Sequence, residues 1–302
     1  MKPAPAAARA MAVINYLTVH PQMAFTLSEL SSALGVSPAS MSSILLALSE
    51  WGYVLRDRRH RTYALGPAVV AAGHAASQRH PVIEAARPEL RRLSTFGSEC
   101  IGSAAVAEEI LILAIEGRPS SQSREAWIGQ RVPLIPPFGQ VFLAWAPEAD
   151  VQHWLGRLGP DGAARHGREL VEDLLQVRGR GVAIGLRNEQ VDTVIGLINE
   201  SAHRLDKDAE IHRALQRAIP DQTDNYSLRA VDPGARYDVA NLAAPVFGPD
   251  GTVAFAMTLY GINDIPGSDL LELCSEMLQS GRTVTRAIGG RWAAHMPESI
   301  AL

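Results

Sequence analysis

Four arginines lie close together near the N-terminal end of the chain, and these are Arg56, Arg58, Arg59 and Arg61. Residues 53–57 and 62–65 are typical of short strands, so the arginines would crowd a single β-hairpin. The guanidinium group carries fixed hydrogen-bond donors that match phosphate oxygens. A run of charges that only faces solvent has no need to sit at the tip of a hairpin. This pattern therefore indicates a surface that contacts phosphate.

Two short helices are predicted immediately before the hairpin. Thr26 followed by Glu29 is a capping box, and apolar residues follow it at helical spacing. Gly35 supplies the left-handed residue that ends a helix, while Ser37 and Pro38 suit the first positions of the next one. Helix, tight turn, helix and basic hairpin form the order of a winged helix-turn-helix. Double-stranded DNA is therefore the first partner to consider.

The second of these helices should bury one apolar face and expose small side chains that could approach base edges. With the cap residues and the arginines, the candidate DNA-binding residues are Thr26, Ser37, Ala39, Ser40, Ser42, Ser43, Arg56, Arg58, Arg59 and Arg61. Helix-turn-helix shapes also occur in proteins that never touch DNA. The charge distribution favours DNA, because residues 1–80 carry a net charge of +4 and the remainder −8 in a chain of −4.

The composition of the chain argues against a membrane protein or a secreted protein. A chain of 302 residues with 47% hydrophobic content is long enough for two packed domains. There is no apolar run near the ~20 residues of a membrane helix, and the first residues do not resemble a signal peptide. We therefore expect a cytoplasmic protein with no membrane partner. Cys100 and Cys274, far apart in the sequence, are expected to be reduced, buried thiols.

Residues 66–80 form a connector rich in Ala and Val. A helix from Pro67 would be apolar over much of its surface, so we expect it to pack against a second copy of itself or against the first helix of a partner. From residue 81 onward, helices and strands mix without regular alternation. A hairpin is predicted from 100–106 and 110–116, and strands at 182–187, 239–247 and 252–260. Helices are predicted over 140–146, near 151–158 and 170–178, and a last one over 268–288. The fold class is therefore α+β, with an antiparallel sheet in the C-terminal part.

The chain resembles the IclR family of transcriptional regulators over most of its length. The likeness lies in SPASMSSILLALSEWGYV (37–54), GQRVPLIPPFGQVFLAW (129–145) and LAAPVFGPDGTVAFAMTLYG (242–261). It implies a winged helix-turn-helix at 1–65, a linker helix at 66–80 and a GAF-like effector-binding domain at 81–302. It also implies a homodimer or homotetramer that binds an operator, expected to be an inverted repeat, and responds to an organic acid or aromatic catabolite.

The chain departs from the family pattern in three places. Ser43 stands where the family commonly has a basic residue in the recognition helix, and the family's Gly-Lys segment is replaced by PPFGQ at 136–140. About fifty additional residues, 188–237, have the pattern of a helical insertion. The resemblance places the effector site at Pro137, Phe138, Gly139, Asn241, Thr258 and Tyr260. Arg187 lies near a position at which the family often has an acidic residue, and its charge makes it the cation that we expect to meet a carboxylate.

An enzyme is the second class of function considered. The sequence has no nucleophile elbow and no phosphate-binding Walker loop, and the glycines of 179–185 have the wrong spacing for a dinucleotide loop. Its nine histidines show no metal-ligand spacing. We therefore expect no catalytic residue, no metal and no cofactor. A third class remains open, in which the protein binds DNA without a ligand and the C-terminal domain serves only oligomerisation.

Overall fold

The N-terminal part of the chain folds around three helices and a small sheet. The computed structural model describes residues 4–118, 126–187 and 226–293. The elements of this head are α1 (Pro5–Thr18), β1 (Phe25–Thr26), α2 (Leu27–Leu34), α3 (Pro38–Glu50), β2 (Val54–Asp57) and β3 (Thr62–Leu65). Its sheet has the order β1-β3-β2. The core comes from all three helices, with Leu17, Leu30, Met41 and Leu45 almost completely buried. The predicted winged helix-turn-helix is confirmed.

The predicted ends of these helices are confirmed by their hydrogen bonds. The Glu29 N–H donates to Thr26 Oγ1 at 3.3 Å, and the Thr26 N–H donates to the Glu29 carboxylate at 2.7 Å, which completes the capping box. Gly35 has φ of 63°. Ser37 caps α3 by accepting a bond from the Ser40 N–H at 3.4 Å. Strand β1 was not predicted, because two residues carry no periodic signal; Phe25 pairs with Tyr63.

The connector forms helix α4 (Pro67–Arg79), in which every side chain is at least partly exposed. Its first residues are tied to the head. The Gly66 N–H donates to the Tyr53 carbonyl at 2.8 Å, and the Ala68 N–H donates to the Gly52 carbonyl at 3.1 Å. A Cβ at Gly66 would lie 2.1 Å from the Gly52 oxygen, so this position requires glycine.

The C-terminal part, or body, is built on a six-stranded antiparallel sheet of order β6-β5-β4-β9-β8-β7. Its strands are β4 (Glu99–Val106), β5 (Glu109–Gly117), β6 (Arg131–Pro133), β7 (Ala183–Leu186), β8 (Arg236–Phe247) and β9 (Val253–Pro266). Its described helices are α5 (Val82–Leu93), α6 (Gln140–Leu143), α7 (Glu148–Gly156), α8 (Gly159–Arg180) and α9 (Gly267–Ala287). A 3₁₀ turn, Ser94–Phe96, follows α5. The α+β prediction is confirmed.

The two faces of this sheet belong to different hydrophobic clusters. On one face, side chains such as Phe255, Met257 and Leu259 pack under α5 and α9. On the other face, Ala243 and Ala256 belong to a cluster with the 134–144 segment, α7 and α8. Because side chains alternate along a strand, neighbouring residues of β9 fall on opposite faces. The predicted strands and the last helix are confirmed to within a few residues.

Some boundaries differ from the predictions. The predicted helix over 140–146 is four residues long, and α8 begins well before the predicted 170, because Pro160 stands in its first turn, where proline is tolerated. Strand β8 begins at Arg236, and residues 226–228 already pair with β7, so the sheet resumes before the predicted end of the insertion at 237. The helical pattern predicted for 188–225 lies outside the described residues.

Both cysteines are free and buried, as predicted. Burial raises the pKa of the Cys274 thiol to about 12 and also raises that of Cys100. Within the described ranges, no single helix is long and apolar enough to span a membrane. Helices α2 and α3 meet those criteria only as a pair that bends by 113°, and their apolar side chains form the core of the head.

Replacing Thr26 by alanine should destabilise the head, because it removes the hydroxyl of the capping box. We expect a loss of about 1 kcal/mol in the free energy of unfolding, measured by urea denaturation. Thr26→Ser keeps the hydroxyl and serves as the control, with a stability close to that of the wild type. Equal stabilities for the alanine and serine variants would contradict the role given to this cap.

Candidate DNA-binding surface and ligand-binding face

The tip of the hairpin between β2 and β3 is organised by one carboxylate. Asp57 Oδ1 accepts hydrogen bonds from the main-chain N–H of Arg59 at 2.7 Å and of His60 at 3.1 Å. The His60 ring lies 3.0 Å from Asp57 Oδ2. The His60 side chain and these main-chain donors lower the pKa of Asp57 to about 2. The turn is therefore held by local bonds, with φ of 55° at Arg61.

This turn presents the predicted arginines to solvent. Arg56, Arg58, Arg59 and Arg61 are all exposed. The guanidinium carbon of Arg56 lies 5.7 Å from the centre of the Tyr63 ring, its cross-strand partner. The structure thus brings the four guanidinium groups onto one hairpin, a geometry suited to phosphate contacts.

The hydroxyl groups predicted to approach base edges are mostly hydrogen bonded within the head. Ser37 Oγ donates to Ser40 Oγ at 3.0 Å, and Ser43 Oγ donates to the Ala39 carbonyl at 3.3 Å. Thr26 is engaged in its capping box. The Ser42 side chain is exposed, and its hydroxyl makes no hydrogen bond with the described part of the chain. Of the predicted set, the methyl of Ala39 and the hydroxyl of Ser42 remain freely presented.

The predicted set omits Leu46, which lies in the middle of α3 with 62% of its surface exposed. It follows Ala39 by seven positions and Ser43 by three, so these residues share one helical face. Its spacing from the apolar residues of α3 indicates an outward side chain, but Leu46 is neither small nor polar, and the predicted set holds only small and polar residues on this helix.

In the body, strand pairing sets two rows of residues across the sheet. Gly185 lies opposite Asn241, Asn241 opposite Tyr260, and Tyr260 opposite Glu99. The next row along the strands consists of Ala183, Ala243, Thr258 and Ile101. Directly paired residues of antiparallel strands project from the same face. The sheet therefore brings the predicted effector residues Asn241, Thr258 and Tyr260 onto the face that carries Ala243.

Tyr226 lies over this face, although sequence reasoning did not identify it. Its Oη accepts a hydrogen bond from Asn241 Nδ2 at 3.0 Å. The ring meets that of Phe138 edge to face, with 6.2 Å between centres. A Cβ on Gly185 would lie 2.8 Å from Asn241 Nδ2 and 3.0 Å from Tyr226 Oη. Gly185 therefore leaves the space in which the tyrosine and the amide meet.

The proline-rich segment beside this face is fixed by the helices behind it. Pro137 and Phe138 are buried, and the Phe138 carbonyl accepts a bond from Trp154 Nε1 at 3.1 Å. Gly139 has φ of 84°, and a Cβ there would lie 2.1 Å from Leu134 Cδ1. Gln140 Nε2 donates to Ser227 Oγ at 2.6 Å. The segment is thereby joined to the residues that follow Tyr226.

The two tyrosines of this face, Tyr226 and Tyr260, favour their neutral forms. Burial raises the pKa of Tyr226, and the Asn241 hydrogen bond opposes this only in part. Burial also raises the pKa of Tyr260, with the nearby Tyr226 and Glu99 adding to the effect. Both phenols therefore stay protonated at neutral pH and keep an O–H group that can donate.

Arg187 is placed apart from the other predicted effector residues. It follows β7, and its Nη2 donates to Asn263 Oδ1 at 3.0 Å. Its main-chain N–H donates to the Asp238 carbonyl at 2.9 Å. Among the described residues, no hydrogen bond joins its guanidinium to Asn241, Thr258 or Tyr260. Its role toward a carboxylate stays a prediction.

Comparison with known proteins identifies the class of the chain. Residues 6–58 match the model of the IclR helix-turn-helix domain, and residues 74–197 match that of the bacterial transcriptional regulator IclR C-terminal domain. Together the two matches span more than half of the sequence. The chain belongs to the IclR family of transcriptional regulators. Members of this family are regulators and not enzymes, in agreement with the prediction.

The relatives of this IclR-family chain are distant. The HTH-type transcriptional regulator BhcR of Paracoccus denitrificans is 26% identical over 182 residues, which cover 58% of this chain and 64% of BhcR. The alignment therefore spans less than two thirds of that relative. An IclR transcriptional regulator from Alicyclobacillus acidocaldarius has a TM-score of 0.64 at 22% identity, covering 96% of this chain and 100% of that one.

A further structural neighbour carries a ligand. It is an IclR homologue from Microbacterium hydrocarbonoxydans complexed with 4-hydroxybenzoate, with a TM-score of 0.61 at 16% identity, covering 93% of this chain and 99% of that one. These likenesses show that the IclR fold extends over the whole of the described molecule. Within the described residues, no three His, Cys, Asp or Glu side chains form a group that could hold a metal.

Replacing Asp57 by alanine should loosen the hairpin tip, because the Arg59 and His60 N–H groups lose their acceptor. We expect lower hydrogen-exchange protection at these two amides, with an intermediate effect for Asp57→Asn, which keeps one oxygen acceptor. Because the pKa of Asp57 is lowered to about 2, the wild-type protection should persist from pH 7 to pH 4 and fall toward the level of Asp57→Asn only as the pH approaches 2. Loss of protection already near pH 4 would contradict this account of the tip.

Replacing Gly185 by alanine should disturb the sheet face that carries Asn241, because the new methyl would overlap Asn241 and Tyr226. We expect a loss of about 1–3 kcal/mol in the free energy of unfolding, measured by urea denaturation. Gly179→Ala in α8 is the matched control, since a Cβ there meets nothing within 4 Å and alanine favours the helix. The close approach would be refuted if both variants were at least as stable as the wild type.

Proposed function

We propose that the chain is a metabolite-responsive regulator that binds an inverted repeat of double-stranded DNA as a homodimer or homotetramer. In this proposal residues 1–65 bind DNA, residues 66–80 connect, and residues 81–302 sense a small organic or aromatic acid. The observation that carries it is the polar cluster of Asn241, Tyr226 and Tyr260 on a sheet face that also carries the apolar residues Ala183, Ala243 and Ala256. Polar groups set among apolar walls are typical of ligand sites.

The chemistry of this face favours a hydroxylated aromatic ligand. Phe138 and Tyr226 offer ring edges and faces, while Asn241 and the neutral phenols offer donors and acceptors for a hydroxyl group. Arg187, at the end of β7, is the cation that we propose for the carboxylate. The structural neighbour with 4-hydroxybenzoate makes that compound the first ligand to test.

The connector supports the proposed oligomer. Helix α4 has no buried side chain within one copy of the chain, although it is rich in Ala and Val. An apolar helix surface of this kind gains stability when it packs against another copy. We propose that α4 helices pair between two chains, and that ligand binding in the bodies changes the separation of the two heads.

The test begins with selection of bound duplexes from a random DNA pool by the full chain, followed by a ligand titration. We expect an enriched inverted repeat, and a rise in the thermal midpoint of the protein with 4-hydroxybenzoate. At 100 times the dissociation constant the ligand should add about 2.7 kcal/mol of stability. Benzoate is the matched probe that lacks the hydroxyl, and it should bind more weakly.

The outcomes separate the alternatives. Gly185→Ala should still select the same DNA but lose the response to 4-hydroxybenzoate. An enriched repeat with no response to any organic or aromatic acid would favour the ligand-independent regulator, whose body serves only oligomerisation. Absence of DNA binding at low salt would overturn the proposed function as a whole.

A further inference from the structure

The recognition helix lacks the side chains that read purines with two hydrogen bonds. Residues 37–51, SPASMSSILLALSEW, contain no Arg, Lys, Asn or Gln. In the major groove, guanine is read mainly by Arg or Lys, and adenine by Asn or Gln, each through a bidentate pair. Helix α3 has none of these pairs to offer, so any sequence preference must come from a different kind of contact.

The outward hydroxyls of α3 offer little to replace such pairs. Ser37 and Ser40 are hydrogen bonded to each other, and Ser43 donates to the Ala39 carbonyl. These bonds leave Ser42 as the hydroxyl presented without a partner among the described residues. Glu50, at the C-terminal end of the same face, carries a negative charge that phosphate would repel.

The face of α3 directed away from the core is therefore largely apolar at its centre. Met41, Ile44 and Leu45 are buried against the rest of the head, whereas Leu46 is 62% exposed. Its spacing from Ala39 and Ser42, seven and four positions, places the three side chains on one surface. We call Ala39, Ser42 and Leu46 the reading face.

The residues around the reading face indicate its binding partner. An exposed leucine alone needs no explanation. This one belongs to the second helix of a helix-turn-helix, and the hairpin that follows the helix carries four exposed arginines. The cationic hairpin makes the polyanionic groove of DNA a better match than an apolar protein surface.

We propose that the reading face recognises the C5-methyl groups of thymine in the major groove, with Leu46 as the principal contact; this rests on the DNA binding proposed above. The thymine methyl is the apolar group on the base edges of that groove, and small apolar side chains contact it. Specificity then comes from methyl groups, while the arginines provide affinity that is independent of sequence.

The test replaces thymine by deoxyuridine, one position at a time, in a half-site obtained by the selection described above. Uracil keeps every hydrogen bond of thymine and lacks only the methyl. We expect at least one position at which the full chain binds about fourfold more weakly, the effect of about 0.8 kcal/mol for one buried methyl-sized group. Equal affinities at every thymine position, with binding to the repeat retained, would overturn the inference and leave the proposed function intact.

Two variants assign the effect to its residue. Leu46→Ala should bind the thymine and uracil forms of that position equally, with an unchanged salt dependence. Leu175→Ala, which truncates a leucine of similar exposure (55%) on α8 of the body, should keep the fourfold difference. Circular dichroism checks that both variants are folded. A fourfold uracil effect that persists in Leu46→Ala would contradict the role of Leu46, and failure of the wild type to bind any duplex would contradict the proposed function itself.

Discussion

The register between β8 and β9 is the constraint on which the body depends. The two strands pair from Arg236 with Pro266 to Phe247 with Val253 around the Gly248–Gly251 turn. This pairing sets Asn241 beside Tyr260, and it directs Phe255 and Met257 to the face covered by α5 and α9. A slip of one residue would exchange the two faces, burying the polar row under the helices and exposing the core. The hydrophobic core and the row of predicted effector residues are therefore fixed by the same set of hydrogen bonds.

Close approach at glycine allows large side chains to fill both faces. On the face covered by α5 and α9, a Cβ on Gly102 would lie 2.2 Å from Phe255 Cζ, so the phenyl ring occupies the space that a side chain would need. Gly185 gives the same room to Tyr226 and Asn241 on the opposite face. The head has its own core and its own caps, and α4 leads from it to the body. The head and the body therefore have separate hydrophobic cores.

The head could be predicted almost completely from the sequence because its signals are local. Thr26 with Glu29, Gly35 and Ser37 each act within a few residues, and the structure forms the predicted cap or turn at each. Five of the six strands of the body could also be predicted, since their periodicity is local. Strand β6 could not, because three residues at the start of a proline-rich segment carry no such signal. The place of Tyr226 on the sheet could not be predicted, because many residues of sequence separate it from β7. The Arg187 hydrogen bond to Asn263 likewise joins distant parts of the sequence.

Sequence reasoning also favoured hydroxyl groups over apolar ones at the DNA-binding surface. The residue types were identified correctly, but their hydrogen bonds depend on helix geometry. Ser43 bonds back to the carbonyl of Ala39, as serine does in helices, and so offers less to a base than its exposure suggests. Leu46 was overlooked because an apolar residue in an amphipathic helix is usually assigned to the core. The helical spacing of the buried residues Met41, Ile44 and Leu45 leaves Leu46 on the outward side of α3.

If the cationic hairpin of the head contacts DNA phosphates, its arginines must contribute to the salt dependence of DNA binding. The affinity of the full chain for its selected duplex should be measured from low to high salt, beside a variant with Arg58→Ala and Arg59→Ala. The account predicts a log–log slope shallower by about 0.9 for each arginine removed. A variant with Arg165→Ala and Arg168→Ala, two exposed arginines of α8, should keep the wild-type slope. Identical slopes and affinities for the hairpin variant and the wild type would contradict the account.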